Sequence, residues 1–165
     1  MDSAELEVKF MSAGADYLRA VQALGLDPDA LLWAYDTVIK KHVLVLVTDM
    51  FDFRGPYEVS QLLFQAYNNA GTPREIDPFI VRLHSPKHAI VPELLRFAQV
   101  TSAQKTNKET NEPEGDKIPI KEAEVGGLKV RKAWVYQIRQ PRPQKVVQLA
   151  KRWARFQRNV EKLAA

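Results

Sequence analysis

The sequence predicts an α/β fold, with α+β as its alternative: a small, partly parallel sheet with flanking helices, N-terminal helices, a C-terminal β-hairpin and a long basic C-terminal helix. Three observations carry this reading. The run His42-Val43-Leu44-Val45-Leu46-Val47-Thr48 is apolar and β-branched on both alternating faces, as a strand covered on both sides must be. A helical stripe follows it, and then a second short apolar run, Phe79-Ile80-Val81-Arg82-Leu83. Strand, helix and strand in that order make a right-handed crossover unit with parallel strands. Finally, Val146, Leu149, Trp153, Phe156, Val160 and Leu163 recur at steps of three and four, the period of an amphipathic helix.

The elements follow in order. Leu6, Phe10, Ala13, Tyr17, Val21 and Leu24 share one helical face, and Gly25 stops that helix. Asp27-Pro28-Asp29 has the form of a helix start, a capping carboxylate before a proline. Leu31, Leu32, Tyr35, Val38 and Ile39 keep a helical period behind it, which predicts a second helix to about Lys41. The strand over residues 42–48 comes next. Gly55-Pro56 opens a helix whose stripe is Val59, Leu62, Leu63, Ala66, Tyr67 and Ala70, closed by Gly71 and Pro73. After the strand over residues 79–83, another helix runs from about Pro92 to Val100. From Thr101 to Asp116 apolar residues vanish and Lys, Thr, Asn, Glu and Pro take over, the composition of a flexible loop or linker. Apolar residues on either side of Gly126-Gly127 predict a hairpin turning at the glycine pair, with the longer strand running through Trp134, Tyr136 and Ile138. Pro141 and Pro143 end it and introduce the last helix.

The chain thus divides into an acidic α/β core (residues 1–100), a linker (101–116) and a basic hairpin plus helix (117–165) that packs on the same domain. Residues 1–100 hold 9 Lys/Arg against 13 Asp/Glu, a net of −4, and residues 101–165 hold 15 against 7, a net of +8. A basic segment of that kind attracts nucleic acid, an anionic surface or an acidic partner, and equally suits the acidic half of its own chain. Cysteine is absent, which excludes disulfides, thiolate metal sites and thiol nucleophiles. The acidic start Met1-Asp2-Ser3-Ala4-Glu5 lacks the order of a signal peptide, and no apolar run reaches the roughly 18 residues that span a bilayer. A cytoplasmic protein with no membrane span is the expectation.

Two regions are candidates for function. In an open sheet, ligands bind beyond the carboxyl ends of parallel strands. Asp49, Asp52, Arg54, His84, Ser85 and His88 stand at such ends. Asp49 and Asp52 are candidate Mg²⁺ ligands, and His84 or His88 a candidate proton carrier, for metal-dependent phosphoester hydrolase or nuclease chemistry. Arg54 and Gly55, where a helix begins, form a candidate anion site. The structural alternatives are strong: an aspartate after a strand commonly caps a turn, Arg54 has Asp52 nearby, and Pro86 between the histidines removes helical zinc spacing. The sequence contains no glycine-rich phosphate loop, G-x-S-x-G elbow or H-E-x-x-H helix.

The second region is the basic C-terminal part. Lys129, Arg131 and Lys132 surround Trp134 and Tyr136 on the predicted strand, aromatics among bases as in single-strand binders. Lys145, Lys151, Arg152, Arg155, Arg158 and Lys162 flank the last helix's apolar seam, with Lys151, Arg152, Arg155 and Arg158 as the candidate contacts. Trp153 and Phe156 belong to the seam and are read as packing residues. The favoured reading is a non-enzymatic binding or adaptor protein that contacts nucleic acid or an acidic protein, with no cofactor. Mg²⁺ belongs only to the hydrolase alternative. The seams of the terminal helices also allow a homodimer.

Overall fold

The computed structural model describes residues 5–106 and 122–165. Its first helix, α1 (Val8–Leu24), buries Ala13, Tyr17, Val21 and Leu24. Gly25 ends it at φ 103°, a left-handed conformation that costs a side-chain-bearing residue strain.

The helix predicted from Pro28 to Lys41 is instead a strand and a turn. β1 (Ala30–Asp36) is buried at all seven positions. Leu31, Trp33 and Tyr35 point into one apolar cluster, and Ala30, Leu32 and Ala34 into another. A strand covered on both faces has no polar positions to betray its period of two, so its apolar run fits a helical spacing as well. Val38 and Ile39, which completed that spacing, lie exposed in the turn to β2 (Lys41–Val47). Asp36 builds the turn by accepting hydrogen bonds from the Val38 and Ile39 amides at 2.8 and 3.3 Å and pairing with Arg82 at 2.5 Å. Those amide bonds, the one from Val38 foremost, together with Arg82 hold its carboxyl below the usual range against its partial desolvation.

β2 leads through α2 (Met50–Arg54) and α3 (Pro56–Asn68) to β3 (Val81–His84), which is parallel to β2 as the crossover pattern predicts. α4 (Ile90–Thr106) continues into the start of the segment read as linker; residues 107–116, the rest of that reading, and residues 117–121, the start of the segment read as hairpin, lie outside the described residues. β4 (Glu122–Val125) and β5 (Leu128–Ile138) form the hairpin, and Gly126 and Gly127 supply the two positive φ angles, 55° and 80°, that its two-residue turn requires. α5 (Val146–Leu163) closes the described chain.

Among the described residues the sheet has five strands in the order β3-β2-β1-β5-β4, with β1 antiparallel to both neighbours. The fold is therefore α+β in class, a mixed sheet with helices on both faces. On one face α1, α2, α3 and α5 contribute to a core around Trp33, Leu44, Leu46 and Phe156. On the other α4 brings Ile90, Val91, Leu94 and Phe97 against Leu32, Val45 and Val130. No described helix is long and apolar enough to cross a membrane.

Register irregularities between Leu31, Leu32 and Ala34 of β1 and their β5 partners change which way β5 faces. Val130 packs on the α4 side, whereas Trp134 and Tyr136 pack on the α1 side. The Tyr136 hydroxyl accepts from the Trp33 indole at 3.0 Å and donates to the Met11 carbonyl at 2.6 Å. Gly14 lets α1 approach this closely, because a Cβ there would overlap the Tyr136 hydroxyl and ring.

Candidate functional site

One edge of the sheet collects the start of β1, the ends of β2, β3 and β5, and the first turns of α5. A cleft of about 550 Å³ opens there, lined by Asp29, Asp49, Asp52, Lys87, Arg142 and Leu149 among others. Its carboxylates have partners within the protein. Asp49 accepts a hydrogen bond from Arg152 of α5 at 2.7 Å, and Asp52 accepts one from the Ser85 hydroxyl at 2.6 Å. Arg139, at the end of β5, reaches Asp27 at 2.7 Å and Asp29 at 3.1 Å. Burial raises the Asp29 carboxyl; the Arg139 hydrogen bond opposes that shift and the neighbouring Asp49 charge adds to it. At Asp27 burial also pushes upward, but hydrogen bonds from Arg139, Gln22 and Gln137 outweigh it and hold the carboxyl low.

This edge is where the sequence placed its acidic rim, and the cleft brings Asp49 and Asp52 together with Asp29, which the sequence reading did not select. A Mg²⁺ ion held by Asp49 and Asp52 would have to displace Arg152 from one and Ser85 from the other. Among the described residues no group of three or more His, Asp or Glu side chains is placed to hold a metal ion. His84 and His88 do not line the cleft. Their rings stand 4.6 Å apart. His88 accepts from the Ile90 amide at 3.1 Å through Nδ1, a role at the start of α4. The buried Nε2 of His84 has no partner among the described residues, and burial first, then the charges of His88 and Arg82, lower its pKa to about 4.

Arg54 and Gly55 do stand where α3 begins. The Arg54 guanidinium is held by Glu58 at 3.1 Å and lies over the Trp153 ring at 5.3 Å, so the protein supplies its own anion there.

The basic candidates separate into two groups. On β5, Arg131 pairs with Glu122 at 3.6 Å and covers the Trp134 ring at 5.0 Å, while Lys129 stands opposite Glu124 in the hairpin register. Lys132 is exposed. The strand's aromatics are not a stacking surface: Trp134 is 4% exposed and the Tyr136 hydroxyl is bonded inward. The β5 irregularities turn them to the core, and these have no signature in a single sequence.

On α5, Trp153, Phe156 and Val160 are buried, and Arg152 is engaged by Asp49. Lys151, Arg155, Arg158 and Lys162, spaced by four, three and four, form an exposed stripe directly opposite the buried seam. No described carboxylate lies within ion-pair distance of any of the four. The seams of α1 and α5 both pack into the protein's own core, so a homodimer would have to be built on other surface than the seams that suggested it. No protein-family model, curated protein or solved structure matches the chain.

Proposed function

We propose that the protein is a non-enzymatic binding protein that lays the outer face of α5 along the phosphates of a nucleic acid. The observation that supports this reading is the stripe of Lys151, Arg155, Arg158 and Lys162: four cations on one rigid helix face, exposed and without an internal counter-ion among the described residues. Helix-borne cations of this kind replace condensed counterions on a phosphate backbone, which drives association and makes it salt-dependent. The partners of Asp49 and Asp52 argue in the same direction, since each candidate metal ligand of the hydrolase alternative has an internal bond to break first.

The test is fluorescence anisotropy of labelled oligonucleotides at low and near-physiological salt, with the wild type and a variant carrying Gln at all four stripe positions. Removing four phosphate contacts reduces the slope of log affinity against log salt by about 3. An unchanged slope would remove α5 as the binding face. If an acidic polypeptide binds through the stripe and nucleic acid does not, the partner is an acidic protein surface.

The hydrolase reading keeps one favourable observation, the convergence of Asp29, Asp49 and Asp52 on a single cleft. It requires Mg²⁺- or Mn²⁺-dependent phosphoester turnover that Asp49→Asn abolishes.

A further inference from the structure

We infer that the nucleic acid is single-stranded and that an unpaired base enters the groove between α3 and α5; this rests on the reading of α5 as the phosphate-binding face. The groove has a volume of about 850 Å³. Its α3 wall presents Tyr57, Gln61, Phe64, Gln65 and Asn68, and its α5 wall presents Trp153, Gln157 and Glu161.

The chemistry of that lining is suited to a base. Arg54 and Glu58 neutralise each other, which leaves carboxamides as the main polar groups of the α3 wall. A carboxamide offers a donor and an acceptor side by side, the pattern that matches a base edge. Tyr57 is 73% exposed, and Phe64 packs edge-on against the largely exposed Phe79 at 4.9 Å, so aromatic surface faces solvent beside the carboxamides. Trp153 lines the groove from below, buried together with its indole N–H, which has no acceptor among the described residues. Glu161 disfavours phosphate within the groove and accepts from an exocyclic amino group.

The position of the groove also fits. Gln157 immediately precedes Arg158, and Glu161 immediately precedes Lys162, so each groove residue lies about 100° around the helix from a stripe residue. On a helix about 10 Å across this is an arc of about 9 Å, comparable to the reach from a phosphate to the far edge of its own base. The shoulder between stripe and groove carries Ala150 and Ala154, both exposed, whose methyl groups leave the path open. A duplex keeps its bases stacked and cannot send one along that path without first unpairing it.

The experiment compares wild-type protein with a Tyr57→Ala/Gln61→Ala/Gln157→Ala variant on a single-stranded oligonucleotide and on the duplex of the same sequence, by anisotropy and by tryptophan fluorescence. The three positions carry no buried side chain, and the circular dichroism of the variant checks its fold. The wild type is expected to prefer the single strand, and the variant to lose about tenfold in single-strand affinity with duplex affinity unchanged. Single-strand binding is expected to change the tryptophan emission of the wild type and not of the variant. Equal binding of both strand forms by the wild type, or equal single-strand binding by wild type and variant, overturns the groove assignment and leaves α5 as a phosphate-binding face. Polyglutamate competing as well as the single strand overturns the groove assignment in favour of an acidic protein. Failure to bind either strand form overturns the underlying reading as well.

Discussion

Replacing Asp49 with Asn separates the two readings of the sheet edge by the sign of its effect on stability. Asp49 and Arg152 meet at 2.7 Å, with side chains 23% and 27% exposed, so the pair is largely but not wholly withdrawn from water. A hydrogen bond to a charged group contributes about 1.5–3 kcal/mol. Asn retains an acceptor oxygen for Arg152 and so preserves part of this. The substitution also removes the negative charge that helps burial raise the Asp29 carboxyl, a relief of opposite sign. The net expectation is a loss of about 1–2 kcal/mol. In a chain of 165 residues each kcal/mol moves the melting temperature by about 2–4 °C, so Asp49→Asn should melt about 2–8 °C below wild type. Urea unfolding followed by circular dichroism gives the free energy, and a cycle with Arg152→Met isolates the pair. A variant as stable as wild type, or more stable, would refute the reasoning: Asp49 would then stand among repelling carboxylates, the arrangement expected of a site that holds a cation.

Two further predictions follow from the same structure. His84 in the folded protein stays neutral down to about pH 4, whereas in the unfolded chain it takes up its proton near 6.5. Stability from this group is therefore complete above pH 6.5 and falls as the pH is lowered towards 4, with a slope below the full 1.4 kcal/mol per pH unit (roughly) because the ring is only partly buried. Urea midpoints at pH 7 and pH 5 should differ more for wild type than for His84→Gln, and an equal difference would count against it. Gly14→Ala forces a methyl group onto Tyr136, which costs about 1–3 kcal/mol in overpacking and about 1 kcal/mol for each hydrogen bond lost at the hydroxyl. Adding Tyr136→Phe should not rescue it, because the ring carbons still overlap the new methyl; recovery of the wild-type urea midpoint would show that the hydroxyl alone sets the spacing.

Helices α1, α3 and α5 were legible because each has one buried and one solvated face, and glycine or proline marks a boundary of each. β2 and the hairpin were legible from β-branched runs and the Gly126-Gly127 pair. β1 was not, since Leu31, Leu32 and Tyr35 satisfy both periods once every position is buried. Asp49 and Asp52 follow β2 in the sequence and so stand at its end, but their partners were not legible, because Arg152 lies 103 positions from Asp49 and only the packing of α5 joins them. The same packing divides the basic residues of α5: Arg152 turns to the core's rim, and the remaining cations form the stripe, in which Lys162 takes a place the sequence reading had given it only as a flanking charge. Trp134 shows the opposite failure, a residue whose neighbours in sequence are basic and whose neighbours in space are apolar.

The burial of β1 between β2 and β5 also bears on how the chain is made. Its partner on one side follows almost at once, but on the other side the contact of Asp29 with Arg139 spans 110 positions. At a synthesis rate of about 5–20 residues per second, the outer edge of β1 waits on the order of 5–20 s for β5 to emerge. During that interval a strand with apolar side chains on both faces presents a row of open amide and carbonyl groups, a template for pairing with another nascent chain. A chain cut after residue 100 would hold that state permanently. The acidic and basic halves, so distinct in charge, are thus inseparable as folding partners, and the second half acts for the first as the strand that ends its exposure.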